Sequence, residues 1–419
     1  MQREEIAFVG TSDLAGHFRG KSFPAADLAA RLERGVGLAP SNIFLSAFGP
    51  IQYTPFGTQG EVFLIPDPDT RVMVPFEGSG SEFFYIGDIK TEQQAPWDFC
   101  PRHVLRRALE RLQKETGLQL LATFEQEFIY GGGENPWQPY ALDAYRRQGL
   151  YGEALLAAMR QAKVVPDSFL AEYGPNQFEV TSAPVVGLRA ADNAVITREI
   201  AQAVAFRFGQ RVSFTPIPTP GGVSNGTHIH WSFLDGDGQP VLYEEHRPWQ
   251  LSQLGSAFLA GIQHYLPALC AVTAPSLPSY YRLRPNHWAP VYADVAPLDR
   301  GTALRVCPVQ SSDSAQRARQ FNLEFRVADA TASPYLALAM LVQAGLDGVR
   351  EKRAIELHNP QPLPTNLAAA LLKLEETPAA AQWLGGDLLA AYLQFKRVEI
   401  EALKNMDENE ICRRYADAY

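Results

Sequence analysis

The sequence predicts an α+β fold. Strand-like segments are scattered among helices without regular βαβ alternation, and the last quarter reads as mostly helical. Of 419 residues, 46% are apolar and 20% charged, enough for a large core. At about 100–200 residues per domain, that length points to two domains, and no fixed-period repeat is present.

Taken in order, VFLIPDPDTRVMVPF (62–76) has two β-rich runs around the turn-forming PDPDT and predicts a hairpin. FFYIGDI (83–89) predicts a further strand. The polar, proline-bracketed KTEQQAPWDFCP (90–101) places a domain boundary, giving domains 1–98 and 99–419. In 102–117, Val104, Leu105, Ala108, Leu109 and Leu112 line one helical face, and Gly117 is the stop. Strand is expected at 120–130, 177–183 and 227–233. Helix is expected at 143–163, 190–207, 250–271, 334–350 and 386–404. The glycine triplet 131–133 follows a strand but opens no helix and fits no phosphate-loop motif, so it reads as a loop.

Lys plus Arg total 37 against 46 Asp plus Glu, a net charge of −9, which argues against coating nucleic acid or binding an anionic membrane. The longest apolar stretch, inside 335–346, is too short to span a bilayer. MQREEIAFVG lacks a basic start followed by an apolar run, so no secretory signal is expected. Cys100, Cys270, Cys307 and Cys412 have no C-x-x-C spacing and read as buried or incidental thiols of a reducing cytoplasm.

Four constellations carry chemistry. Strand side chains alternate, so Glu125 and Glu127 of TFEQEFIY share a face. They form either the solvated face of an edge strand or, between Phe124 and Phe128, a cation site. Glu172 and Glu179 flank the Gly174-Pro175-Asn176 turn, as an exposed turn or as further ligands. His228 and His230 in THIHWSF point the same way, as core histidines or as ligands for a metal or phosphate. A carboxylate-rich set favours Mg²⁺ or Mn²⁺ over zinc. Arg282, Arg284, Arg300, Arg305, Arg317, Arg319 and Arg326 are interleaved with apolar residues and need anions: phosphates, carboxylates or the chain's own acids. Together these predict a divalent metal site facing an arginine-lined polyphosphate pocket, the layout of ATP-dependent phosphoryl transfer without a P-loop.

In this order the motifs resemble the glutamine synthetase superfamily over nearly the whole chain. The carriers are Glu125/Glu127, Glu172/Glu179, Asn225-Gly226…His228/His230, Ser279-Tyr280-Tyr281-Arg282-Leu283, Arg300/Arg305 and the 323–349 segment. The resemblance implies a small N-terminal β-grasp domain and a large catalytic domain with a curved antiparallel sheet. It also implies a homo-oligomer of rings with active sites between subunits. Glu127, Glu172 and Glu179 match ligands of one metal; Glu125, His228 and Glu324 match those of a second. His230 and Ser232 fall where the family contacts ATP, and Arg300 and Arg305 where it binds phosphate. Asn225, Gly226, Arg282 and Arg326 match contacts to glutamate. The implied reaction passes through a γ-glutamyl phosphate that an amine displaces. Ser333 is the expected N-cap and Pro334 the first residue of the following helix.

Three departures shape the expectation. Trp288, in RPNHWAP, stands where ammonia-using members place a flap glutamate. Gly49, in AFGP, falls about where they have the aspartate facing ammonium. Asn322 replaces a phosphate-clamp arginine, leaving Arg317 or Arg319 as substitutes. Indole and glycine remove charge and add an apolar wall, which suits an alkyl- or arylamine better than ammonium. Tryptophan at this flap position is also similar to γ-glutamylmethylamide-type amine ligases. The expected activity is therefore an ATP- and Mg²⁺- or Mn²⁺-dependent glutamate–amine ligase, with Trp288 in the amine pocket and Glu61 or Asp294 as candidate proton acceptors. The alternatives are ordinary glutamine synthesis and an inactive scaffold.

Overall fold

A computed structural model describes residues 3–76, 80–131 and 138–419. Of the glycine triplet, Gly132 and Gly133 lie outside the described residues.

The first sheet is built from β1 (Ile6–Ser12), β2 (Phe18–Pro24), β3 (Val36–Leu38), β4 (Val62–Pro66), β5 (Val72–Val74) and β6 (Glu82–Lys90), with α1 (Leu28–Arg34) between β2 and β3. Strand order is β2-β1-β6-β4-β3. The β1–β6 pair is parallel, and the other pairs are antiparallel. The hairpin expected at 62–76 does not form. β4 pairs with residues 87–90 of β6 and β5 with residues 82–84, so both lie along the same long strand. Pro66 and Pro68 lack the N–H groups a β4–β5 ladder needs. Thr70 Oγ1 instead accepts from Ile86 N at 2.9 Å, tying the turn to β6.

The remaining helices and strands follow in chain order: α2 (Pro101–Thr116), β7 (Gln119–Tyr130), α3 (Leu142–Gln161), β8 (Pro166–Ala171), β9 (Gln177–Ser182), β10 (Val185–Val186), α4 (Arg189–Arg207), β11 (Val212–Ser213) and β12 (Thr227–Leu234). Then come α5 (Gln253–Thr273), α6 (Leu277–Arg282), β13 (Val295–Pro297), β14 (Leu304–Val306), α7 (Ser314–Gln320), β15 (Leu323–Phe325) and α8 (Pro334–Arg350). The chain closes with α9 (Leu367–Glu375), α10 (Ala380–Leu384), α11 (Gly386–Leu403) and α12 (Glu408–Ala418). The second sheet runs β13-β14-β15-β12-β7-β9-β8, with β10 and β11 also on β7. Its pairs are antiparallel except β13–β14.

Helix α4 covers one face of this sheet, where Gln126 Nε2 donates to Ala194 O at 3.2 Å. The alternating residues Glu125 and Glu127 are left for the opposite face. α2 ends as the sequence predicts, with Gly117 in the left-handed region at φ 75°. α5 and α8 pack backbone to backbone, since a Cβ on Gly261 would lie 2.7 Å from the Gly348 Cα. Ser333 does take the N-cap position of α8, but its side chain makes no capping bond. Its hydroxyl accepts from Ser12 Oγ at 3.1 Å instead, joining the helix start to β1.

Candidate active site

Strand register assembles the acidic and imidazole side chains. Glu127 faces Glu179 across β7 and β9, and Glu125 faces His228 across β7 and β12. Glu324 lies between His230 on β12 and Arg305 on β14. Cross-strand partners point to the same face, so seven predicted residues project together. His228 Nδ1 is 2.7 Å from Glu125 Oε1 and 3.5 Å from Glu324 Oε1. Glu125, His228 and Glu324 offer ligand atoms all within 4.8 Å of one another. Among the described residues, Glu127, Glu172 and Glu179 are not drawn together that closely. Tyr140 Oη donates to Glu172 Oε2 at 2.8 Å and Tyr173 N donates at 3.3 Å, which fixes that carboxylate.

Electrostatics divide the acids into two groups. Burial, then the charges of Glu125, Glu127 and Glu172, push Glu179 up to about 10. Burial and neighbouring Glu127 also raise Glu172. This half of the row carries more negative charge than it can hold unaided, the condition that a divalent cation relieves. In the other half, burial opposes ionisation of Glu324, but His228, His230 and Arg326 hold it down at about 2. Burial likewise opposes Glu125, yet bonds to His228 and His230 keep it well below the carboxylate range. Burial disfavours charge on His230, while Cys307, Glu125 and Glu324 keep its proton on well above the imidazole range. The oxygen-rich donor set fits Mg²⁺ or Mn²⁺.

The arginines are less free than the sequence suggests. Of the anions the sequence leaves open for Arg326, the ligand-free chain supplies one of its own acids. Arg326 and Arg305 both pair with Glu324, the latter at 2.9 Å. Arg282 donates to the carbonyls of Val327 and Arg326, each at 2.8 Å. Arg284 pairs with Glu408 at 2.7 Å. Arg300 is exposed on the turn after β13, with no ion pair among the described residues. Asn225 is buried, donating to Thr215 O and accepting from Gln177 Nε2, each at 2.8 Å. Gly226 N donates to Glu127 Oε2 at 2.7 Å. A Cβ there would meet His228 Nε2 at 2.6 Å and Arg282 Nη2 at 2.8 Å, so the position has room only for glycine. Asp294 Oδ1 is taken up by Ala303 N at 2.8 Å, and Glu61 is exposed.

A cavity of about 280 Å³ opens beside Ser232, bounded by Leu121, Leu234, Gln239 and Arg319. Arg317, by contrast, is bound through Nε to Ser311 O. At Asn322, Oδ1 lies 2.9 Å from His230 Nδ1. Trp288 is 67% exposed with φ 53°, and its ring lies 5.5 Å from Tyr173, which meets Tyr140 edge-on at 5.2 Å. An aromatic strip thus runs from the flap to Glu172. The sequence analysis singles out Trp288 but neither tyrosine; the only local signal for them is the adjacency of Tyr173 to Glu172.

Comparisons with known proteins agree with this layout. A sequence model described as glutamine synthetase, catalytic domain, matches residues 98–415, and one described as glutamine synthetase N-terminal domain matches residues 2–97. The γ-glutamylpolyamine synthetase GlnA3 of Streptomyces coelicolor is 34% identical over 388 residues, covering 90% of this chain and 80% of that protein. A crystal structure described as a novel glutamine synthase homolog is 40% identical with a TM-score of 0.95, covering 100% of this chain and 99% of the other. A GmaS/ADP complex is 26% identical with a TM-score of 0.82, covering 96% and 95%.

Proposed function

The chain belongs to the glutamine synthetase family of ATP-dependent ligases, and on that premise we propose that it joins the γ-carboxylate of glutamate to a primary amine with an alkyl or aryl body, in preference to ammonia. The observation that carries this reading is the aromatic strip of Trp288, Tyr173 and Tyr140, which runs onto Glu172. An ammonium site needs small, charged walls. This one presents rings that attract apolar surface. The printed names of the polyamine and GmaS relatives support an amine acceptor.

In this reading Glu127, Glu172 and Glu179 hold one Mg²⁺ or Mn²⁺, and Glu125, His228 and Glu324 hold a second. The ions supply charge neutralisation at the transferring phosphate. His230 and Ser232 bind ATP, while Arg300 and Arg305 take phosphate oxygens. Asn225, Gly226, Arg282 and Arg326 position glutamate, so that its γ-carboxylate meets the γ-phosphate and forms a γ-glutamyl phosphate. The amine then displaces phosphate, with Trp288 shaping its pocket. Arg305 and Arg326, paired with Glu324 in the resting chain, would shift toward phosphate and glutamate as these enter. The reading also places the enzyme in the cytoplasm as a homo-oligomeric ring or stacked rings, with active sites between subunits.

The deciding experiment is ATP- and glutamate-dependent turnover with ammonia and a panel of alkyl-, aryl- and polyamines, products resolved by mass. A γ-glutamylamide should dominate over glutamine at equal concentrations. Glutamine as the main product would overturn the amine assignment, and no product with any acceptor would favour an inactive scaffold.

A further inference from the structure

Cys307 follows Arg305 by two residues, and its thiol lies between two groups of the site. Sγ is 3.8 Å from His230 Nδ1 and 3.8 Å from Glu324 Oε2. Ligand atoms of His230, Cys307 and Glu324 all lie within 4.8 Å of one another. Tetrahedral zinc has Zn–S near 2.3 Å and Zn–N near 2.0–2.1 Å, which sets its donors about 3.6 Å apart. Both Sγ contacts already stand near that spacing. We propose that His230, Cys307 and Glu324 form a second kind of metal site, one that takes zinc or another thiophilic divalent ion, and that occupancy shuts the enzyme off.

The chemistry balances. Zinc displaces one proton from Cys307 Sγ and one from His230 Nδ1, and both go to solvent. The donor set therefore keeps its net charge, so Arg305 and Arg326 do not oppose binding more than they oppose the two protons. His230 gives up its contact with Asn322 Oδ1. Nε2, which keeps its proton, lies 3.4 Å from Glu125 Oε2, so that carboxylate stands where a small approach would give the carboxylate–histidine–metal arrangement that orients such ligands. Mg²⁺ has little affinity for thiolate, so Cys307 is the donor that distinguishes the two kinds of ion, which share Glu324. Zinc would withdraw His230 and Glu324 from ATP and Mg²⁺. Inhibition therefore rests on the proposed ligase reading, whereas the metal site itself does not.

The test uses the full chain at saturating Mg²⁺. Co²⁺ titration of the wild type should produce a thiolate-to-cobalt charge-transfer band that Zn²⁺ abolishes and that Cys307→Ser lacks. Cys307→Ser should also weaken Zn²⁺ inhibition by about tenfold or more. No thiolate band in the wild type would overturn the site. So would a band that persists in Cys307→Ser, since Cys100, Cys270 and Cys412 belong to no such group among the described residues. A band without inhibition would keep the metal site and remove its regulatory role.

Discussion

Glu127 and Glu179 stand directly opposite each other on β7 and β9, with Glu179 only 8% exposed. Two carboxylates in that register, with Glu125 and Glu172 beside them, cannot all be charged in a metal-free chain. Glu179 is the one that keeps its proton, its pKa raised to about 10.

That shift makes metal-free stability pH-dependent. The unfolded chain releases this proton near pH 4.3, while the folded chain holds it to about pH 10. The stability it confers is complete below the lower value and is lost progressively toward the upper one, at up to about 1.4 kcal/mol per pH unit. Bound Mg²⁺ stabilises the charged form and flattens that slope. Thermal midpoints measured from pH 6 to 9 should fall more steeply in chelator than in Mg²⁺, and Glu179→Gln should abolish the difference in slope. Parallel slopes in the wild type would contradict this account.

Arg102, on α2, ties the first sheet to helix α4. Its guanidinium, 2% exposed, reaches Asp67 at 2.7 Å, Asp88 at 2.8 Å and Asp192 at 2.9 Å. Tyr335 Oη donates to Asp192 at 2.7 Å from α8. Removing one partner of a buried ion network leaves the others uncompensated and typically costs about 3–5 kcal/mol. Arg102→Met should lower the unfolding free energy from urea titration accordingly, while an exposed control such as Arg147→Met, whose pair with Asp143 faces solvent, should change it by less than about 0.5 kcal/mol. Equal shifts would show that the network does not brace the joint.

In the proposed reading Asn322 leaves a gap in the phosphate clamp, and the two arginines that could fill it differ in their surroundings. Arg317 is held by the Ser311 carbonyl, whereas Arg319 borders the cavity beside Ser232. A charge-assisted bond to a phosphate or ribose oxygen is worth about 1.5–3 kcal/mol, less where water competes. Arg319→Ala should raise the ATP KM about tenfold and leave the glutamate KM nearly unchanged. Arg317→Ala should act on the fold of α7, not on ATP. An unchanged ATP KM in Arg319→Ala would assign the cavity another role.

Strand periodicity made much of the site legible in the sequence. A period of two puts Glu125 with Glu127 and His228 with His230, whatever the strands pair with. Pairing itself is non-local, so nothing in the chain showed that Glu324 would sit between His230 and Arg305. The same blindness produced the hairpin error at 62–76: both runs are strands, but the partner of each is β6, beyond the turn. Which acid would meet Arg326 was likewise hidden, because Glu324 is placed beside it only by the folded strand. Cys307 looked incidental, since a lone thiol gains meaning only from what folding brings beside it.

The aromatic strip yields the sharpest prediction about amine choice. Trp288 keeps a left-handed backbone, φ 53°, which costs a bulky residue about 1–2 kcal/mol, and it leaves most of its indole in solvent beside Tyr173. Packing within the chain does not compensate that strain, and in the proposed reading the ring is held there to meet the arriving amine. Amine surface covered by the rings gains roughly 25 cal/mol per Å². A small alkyl or aryl group would gain about 1–3 kcal/mol, or about 10–200-fold in discrimination. Ammonia gains nothing from such a wall. Trp288→Ala should therefore erode the ratio of kcat/KM for a hydrophobic amine over ammonia by about that factor, and Trp288→Phe should preserve part of it. Tyr173→Ala should lower the same ratio, and the double variant should lose less than the sum, because the two rings form one surface. If Trp288 merely packs the flap shut, its removal will slow both acceptors alike and leave the ratio intact. Competition between ammonia and one amine, with products counted by mass in all four proteins of the cycle, distinguishes the two cases.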